Sequence, residues 1–247
     1  MDIFTGSIDG GTQLSNELWA YKIQLDDSVT WAPGSHVHIG LPGFRDGDTP
    51  NKALVRHMSA ASLVEDGYLE FITRIPKTPS LFKSTLHGLQ AGDAVSVFKI
   101  GSVLQVVDKA PMVFLSMGVG IAAYYPLWRI LATKQRETVM QDGQKVPQQT
   151  VVSLQVGKAD ETVLRERAEA IGGTIDYRWA VGRKAYGEGL QAILANGMLR
   201  DTAVFTVVGS YTFAQDSIRT LLAAGVPKQR IMVDMAPAKR ETFFASL

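Results

Sequence analysis

The chain has no cysteine among its 247 residues. Disulfides, thiol catalysis, thiolate-bound zinc and cysteine-ligated iron–sulfur clusters are therefore excluded within it. It also lacks a charge excess. Lys and Arg number 25 against 24 Asp and Glu, a formal net charge of +1, and no basic run stands out. Nucleic acid and an anionic membrane are thus poor partners on charge alone. Histidine is scarce, with four residues. His36 and His38 share a strand face at i, i+2, but no third ligand stands at suitable spacing, and no metal site is expected. Residues 1–6 show no basic region leading into an apolar stretch, so no secretory signal is read and the cytoplasm is the expected location. The longest run poor in charge, residues 110–132, holds only Arg129. Gly118, Gly120 and Pro126 interrupt it, which favours a buried strand, turn and helix over a membrane span.

What is present is enough apolar material, 46% of residues, to bury a substantial core. Residues 1–108 read as closely spaced strands: 18–25, 36–41, 54–60, 68–75 and 94–98. Turn signals at Pro33-Gly34, Pro42-Gly43 and Gly92-Asp93 separate them, with a short helix at 80–87. That rhythm predicts a small antiparallel Greek-key β-barrel. From residue 109 to 247 strands alternate with helices. The strands fall at 112–115, 151–155, 174–178, 203–208 and 231–234; the helices fall at 122–133, 161–171, 187–196 and 213–224. A doubly wound parallel α/β domain is the expected result. Residues 133–149 are polar and read as a surface excursion.

Several residues on this frame can carry chemistry. Side-chain alternation along a strand puts Arg56 and Met58 on one face and His57 and Ser59 on the other. An arginine in a mostly apolar strand needs an anion or solvent, and its planar fork suits a phosphate. Lys83, Ser84 and Thr85 lie in a short helix whose first-turn N–H groups could bind phosphate or simply be capped. Gly118-Val119-Gly120-Ile121 leaves a buried strand and enters a helix, the arrangement that lets a pyrophosphate approach the backbone. It lacks the third glycine of the usual dinucleotide fingerprint. Gly209-Ser210 and Gly157-Lys158 occupy equivalent strand ends, where open α/β sheets bind ligands.

Taken in order, these motifs resemble the ferredoxin–NADP reductase-like flavoprotein family over nearly the full chain. Trp31-Ala32-Pro33-Gly34-Ser35-His36-Val37 resembles the family's Pro-Gly entry to the barrel. Arg56-His57-Met58-Ser59-Ala60-Ala61-Ser62 follows the flavin motif R-x-Y-[ST]-x-A-S except at Met58. Lys83-Ser84-Thr85-Leu86 resembles the phosphate segment G-x-[ST]-x-x-L, with lysine replacing glycine. Residues 116–123 resemble A-G-G-x-G-[IT]-[AT]-P, and Val207-Val208-Gly209-Ser210 resembles V-C-G-P. Gly225-Val226-Pro227 and Ile231 to Asp234 resemble the closing G-[VI]-P and I-x-x-E stretch, with Asp234 in place of the glutamate.

The resemblance implies a flavin-binding barrel over residues 1–108 and an NAD(P)-binding domain over 109–247. It assigns Arg56 to the flavin diphosphate and Met58 to the isoalloxazine ring. Ser59, the residue it would call catalytic, falls near flavin N5, with His57 between them in the motif. It further places Ile72, Thr73 and Arg74 on the strand that supports the flavin, and Lys83, Ser84 and Thr85 at its phosphates. Gly118, Val119, Gly120 and Ile121 would line the dinucleotide, Lys158 would stand in for the family's 2′-phosphate arginine, and Gly209 with Ser210 would admit the nicotinamide. The implied cofactor is FAD, with FMN as the smaller alternative, and the implied substrate is NADPH or NADH. Electrons would pass to a separate acceptor such as ferredoxin or flavodoxin. Met117, Ala123, Val208 and Ser210 depart from the family pattern around the nucleotide. They motivate a second reading, a flavin-binding electron-transfer or regulatory subunit with weakened nucleotide binding; a third is a scaffold without cofactor. The tail, residues 237–247, is expected to pack on its domain rather than cover the flavin.

Overall fold

The computed structural model describes residues 2–138, 149–159, 161–235 and 237–247. Two compact units divide between Ser102 and Val103. The division comes before the expected 108/109 junction because residues 103–111 form no strand and bond into the second unit. The Gln149 side chain donates to the carbonyls of Val107 and Ala110, and Lys134 pairs with Asp108 at 2.6 Å.

The first unit contains β1 (Ile3–Gln13), β2 (Leu18–Gln24), β3 (Ser35–Gly40), β4 (Val55–Ser59), β5 (Leu69–Arg74), α1 (Leu81–Gly88) and β6 (Ala94–Ser102). The strands form one antiparallel sheet in the order β4-β3-β6-β1-β2-β5. The sheet curls as a barrel does: just past β4, Ala61 N–H donates to the Glu70 carbonyl of β5 at 2.7 Å, so its two outer strands are tied to each other. Inward side chains, among them Ile8, Ile23, Val37, Ile39, Phe71 and Val97, fill the core. The strand β1 is not foreseen from the sequence. Its glycines and polar residues mask the alternation, yet it lies centrally, between β6 and β2. At Gly6 a Cβ would stand 2.5 Å from Ile23 and 2.8 Å from the Gln24 carbonyl, so close approach of the neighbouring strand demands the residue that makes the segment look like a loop.

The second unit contains β7 (Met112–Met117), a 3-10 turn (Gly118–Tyr124) running directly into α2 (Tyr125–Thr138), β8 (Val151–Gly157), α3 (Thr162–Ala170), β9 (Ile175–Val181), α4 (Gly182–Ala195), α5 (Gly197–Thr202), β10 (Val204–Val208), α6 (Tyr211–Ala223), β11 (Ile231–Val233) and α7 (Pro237–Ala245). Its five strands are all parallel, in the order β11-β10-β7-β8-β9. The polar segment 133–149 begins as helix, since α2 continues to Thr138; residues 139–148 lie outside the described residues. The helix α4 starts at Gly182, five residues before the expected 187, and α5 is an addition, capped by the Asn196 side chain accepting from Leu199 N–H. The tail forms α7, whose Phe243 and Phe244 are buried in the unit's own core. Arg240 fastens it by donating to the Ile231 carbonyl at 2.9 Å. No helix among the described residues is long and apolar enough to cross a membrane.

Burial of aromatic hydroxyls sets an alkaline limit on stability. The Tyr21 hydroxyl is pushed from 10.0 up to about 12 by burial. Burial likewise raises Tyr124, Tyr177 and Tyr186. The folded protein holds these protons more tightly than the unfolded chain does. Their contribution to stability is therefore full below the unfolded tyrosine value of about 10 and is lost as pH rises through the folded values. The melting temperature should fall steadily above pH about 10, and a flat profile to pH about 12 would contradict this account.

Candidate functional site

In the first unit, cations converge where the curl brings the sheet's outer strands together. Arg56 on β4 lies opposite Ile39, and Met58 lies opposite Val37. Both partners are fully buried, so Arg56 and Met58 share the inward face, as alternation requires. Met58 packs against the core. The Arg56 guanidinium donates to the Val55 carbonyl at 2.7 Å and lies 5.5 Å from the centre of the Phe82 ring on α1. At the end of β5, Arg74 pairs with Glu17 at 3.2 Å. Lys83 sits half-buried in the first turn of α1. Burial lowers its pKa below the ordinary lysine value, the charges of Arg74 and Arg56 lower it further, and Glu17 opposes them. Lys83 thus feels the charges of two arginines, which the Glu17 carboxylate opposes. An anion would relieve that repulsion.

The backbone adds to this field. The cap residue of α1, Ser80, makes no side-chain bond to the helix, so the first-turn N–H groups keep their partial positive charge. The Ser84 hydroxyl is occupied within the helix, donating to the Leu81 carbonyl at 3.0 Å, and Thr85 is half-buried. Ile72 and Thr73 are buried in β5 opposite Ala20 and Trp19. Ser59 ends β4, half-buried and opposite His36. His57 is exposed and opposite His38, and the His36 and His57 rings stand 4.3 Å apart on that outer face.

In the second unit, the strand order reverses between β7 and β10, and the crevice beyond the carboxyl ends of those strands is where such sheets bind ligands. β7 runs out at Met117 and β10 at Val208, which places Gly118 and Gly209 on the two sides of that switch point. Gly118 has φ +55°, a left-handed turn with open space where a Cβ would lie. Gly120 is different. A Cβ there would stand 2.8 Å from the Val208 carbonyl oxygen, so this glycine serves the packing of the turn on β10 rather than open space for a ligand. Gly209 is also filled on one side: a Cβ there would stand 2.6 Å from the Phe213 ring and 3.1 Å from Met117 Cβ. Ser210 is exposed and caps α6, accepting from Phe213 N–H. Val119 is half-buried and Ile121 buried. Lys158 is exposed just past β8, its N–H directed to the Glu161 carboxylate at 3.4 Å.

Sequence reasoning missed a polar pair behind the Gly118 turn. Ser116 and Gln155 face each other across β7 and β8, both buried, and the serine hydroxyl donates to the glutamine side-chain oxygen. The Gln155 amide in turn donates to the Gly118 carbonyl at 2.9 Å. The available signal was a glutamine inside Val151-Val152-Ser153-Leu154-Gln155-Val156, where burial obliges it to find partners.

No protein-family model and no curated protein matches the chain. Solved structures do. The ferredoxin reductase of carbazole 1,9a-dioxygenase aligns with 94% of this chain at TM-score 0.71 and 15% identity; the chain spans 69% of that protein, and 65% of it in its FAD apo form. The FAD/NAD-binding domain of a nitric oxide dioxygenase from Vibrio cholerae aligns over 95% of this chain and 98% of that one, at TM-score 0.71 and 19% identity. A ferredoxin NADP+ reductase from Neisseria gonorrhoeae, solved with FAD and NADP, gives 95% and 98% coverage at TM-score 0.70 and 17% identity. The chain therefore has the two-part fold of the ferredoxin reductases: a curled antiparallel sheet followed by a parallel α/β unit.

Proposed function

We propose that this protein is a flavin-dependent NAD(P)H oxidoreductase of the ferredoxin reductase-like kind, with FAD on the first unit and the pyridine nucleotide on the second. The observation that carries the reading is the grouping of cations by α1, where the Arg56 guanidinium lies 5.5 Å from the Phe82 ring and Lys83, in the first turn, feels the charges of Arg56 and Arg74, chemistry that suits a dinucleotide diphosphate. When bound, the flavin would accept a hydride from nicotinamide and release the electrons singly. The chain's own task is to hold and orient the two ligands and to exclude water.

In this reading Arg56, Lys83 and the α1 N–H groups bind the flavin phosphates, while the backbone of Ile72 and Thr73 with Arg74 supports the flavin from β5. Met58 and Ser59, on opposite faces of β4, belong near the ring, with His57 on the same strand face as Ser59. On the second unit Gly118 and Val119 take the nucleotide pyrophosphate, with Gly209 and Ser210 across the switch point and Lys158 at the ribose end. These residues hold no cysteine-ligated cluster, and in this reading a ferredoxin, a flavodoxin or another small acceptor takes the electrons. The fold of the solved reductases, one of them solved with FAD and NADP bound, supports the assignment.

The test is an anaerobic titration of the purified yellow protein with NADH and NADPH in turn, with the released flavin identified afterwards. Bleaching of the blue flavin band by either nucleotide is the expected result. A yellow protein that neither nucleotide bleaches would favour the electron-transfer or regulatory subunit, and a colourless protein that takes up no added flavin would sink both readings.

A further inference from the structure

We propose that Gln155, held by Ser116, is a positioning residue for the pyridine nucleotide: it pins the Gly118 carbonyl inward and so turns the Val119 N–H outward to the pyrophosphate. The proposal rests on the nucleotide reading given above and adds to it a residue that touches no ligand.

The bonding fixes the orientation of the amide. Gln155 is 1% exposed and Ser116 fully buried, so neither can turn to water. The Gln155 NH2 group donates to two carbonyls, Gly118 at 2.9 Å and Val156 at 3.2 Å. Its oxygen accepts from the Ser116 hydroxyl. A flipped amide would set its oxygen against two carbonyl oxygens, which only accept, so one orientation satisfies the group and the other does not. In a planar trans peptide the C=O and N–H point in opposite directions. With the Gly118 oxygen drawn toward Gln155, the N–H of the same peptide, that of Val119, points away from Gln155. It also belongs to the first turn of the 3-10 segment, where N–H groups have no carbonyl one turn back to bond. The left-handed φ of Gly118 lets the chain make this reversal directly at the end of β7. Both side chains are buried, so their effect on a ligand runs through the peptide they hold.

The experiment uses the full-length, flavin-loaded protein and titrates it calorimetrically with NADP+ and NAD+, which bind without reducing the flavin. Gln155→Met keeps the volume and loses the donor; it should weaken binding of the preferred nucleotide about tenfold while flavin content stays unchanged. Gln155→Glu supplies a pH signature. Burial and the two facing carbonyls favour the neutral acid, whose single O–H can donate to the Gly118 oxygen, whereas the carboxylate would repel that oxygen. Its nucleotide affinity should approach wild type at low pH and fall as the buried carboxyl ionises, a step the wild-type protein lacks. Ser116→Ala, which releases the amide oxygen, should give a weaker loss of the same kind and carries the test if Gln155→Met fails to fold. Wild-type affinity in both Gln155→Met and Ser116→Ala, or a Gln155→Glu profile parallel to wild type, would overturn the role of Gln155 while leaving the nucleotide site standing. If the wild-type protein itself binds neither nucleotide, the nucleotide reading fails, and the role of Gln155 with it.

Discussion

Gly120→Val should cripple the folding of the second unit, and not merely empty the proposed nucleotide site. The Cβ alone would come 2.8 Å from the Val208 oxygen and 3.1 Å from its carbonyl carbon. Those atoms are backbone in β10, a strand bonded on both sides, to β7 and to β11, so they cannot step aside as a flexible side chain would. Valine adds two further methyl groups at the same place. Overpacking typically costs about 1–3 kcal/mol, and a clash with fixed backbone belongs at or above the top of that range. Against a total stability of about 5–15 kcal/mol, the melting temperature should drop by roughly 10 °C or the soluble yield should collapse. Gly118→Ala is the control. Space is open there, and only the left-handed backbone is penalised, by about 1 kcal/mol. Thermal unfolding of the two variants separates the cases. A Gly120→Val protein that melts like wild type but no longer binds nucleotide would return that glycine to the phosphate.

Arg56→Ala should lower flavin affinity about 10- to 100-fold, because a charge-assisted hydrogen bond to phosphate contributes about 1.5–3 kcal/mol. The structure adds two details. The guanidinium is already seated on the Val55 carbonyl and over Phe82, so little ordering remains to be done when a phosphate arrives. Removing it also relieves the repulsion on Lys83, whose ammonium should then hold its proton to higher pH. Equilibrium titration of the flavin-free protein with FAD measures the loss, and an unchanged dissociation constant would remove Arg56 from the phosphate. Loss of the contact with Phe82 should cost only about 0.5–1 kcal/mol of stability, so weak flavin binding would not be a symptom of unfolding.

The strands and helices that carry regular apolar spacing were legible in the sequence, including both strands of the β3–β4 pair and every strand of the parallel sheet. Strand β1 was not, because the packing that makes it central requires small residues where a strand signal requires large ones. Arg56 and Lys83 could be picked out singly from their local settings. Their grouping with Arg74 came from the family resemblance and not from local spacing. Arg56 and Arg74 lie on strands at opposite ends of the sheet order, and only the closure between Ala61 and Glu70 draws those ends together. Gly118 and Gly120 looked equivalent in sequence, yet one faces space and the other faces a strand, a distinction set by a neighbour about ninety residues away in the chain. The Gln155 brace was hidden for a similar reason: polar residues in a strand usually mark a wetted face, and here the partners come from the adjacent strand and the turn beyond it.

The fastening of the tail by Arg240 has a consequence for how these molecules behave when crowded. An open parallel sheet ends in strands that offer unpaired backbone to any passing chain, a common start of aggregation. At the β11 border that offer is small. The strand is three residues long, and its Ile231 carbonyl is occupied by the Arg240 guanidinium. The opposite border, β9, carries the Asp176–Arg178 ion pair at 2.6 Å. The sheet therefore meets strangers with charge at both margins, which disfavours strand-to-strand polymerisation without any contribution from the ligand-binding surfaces.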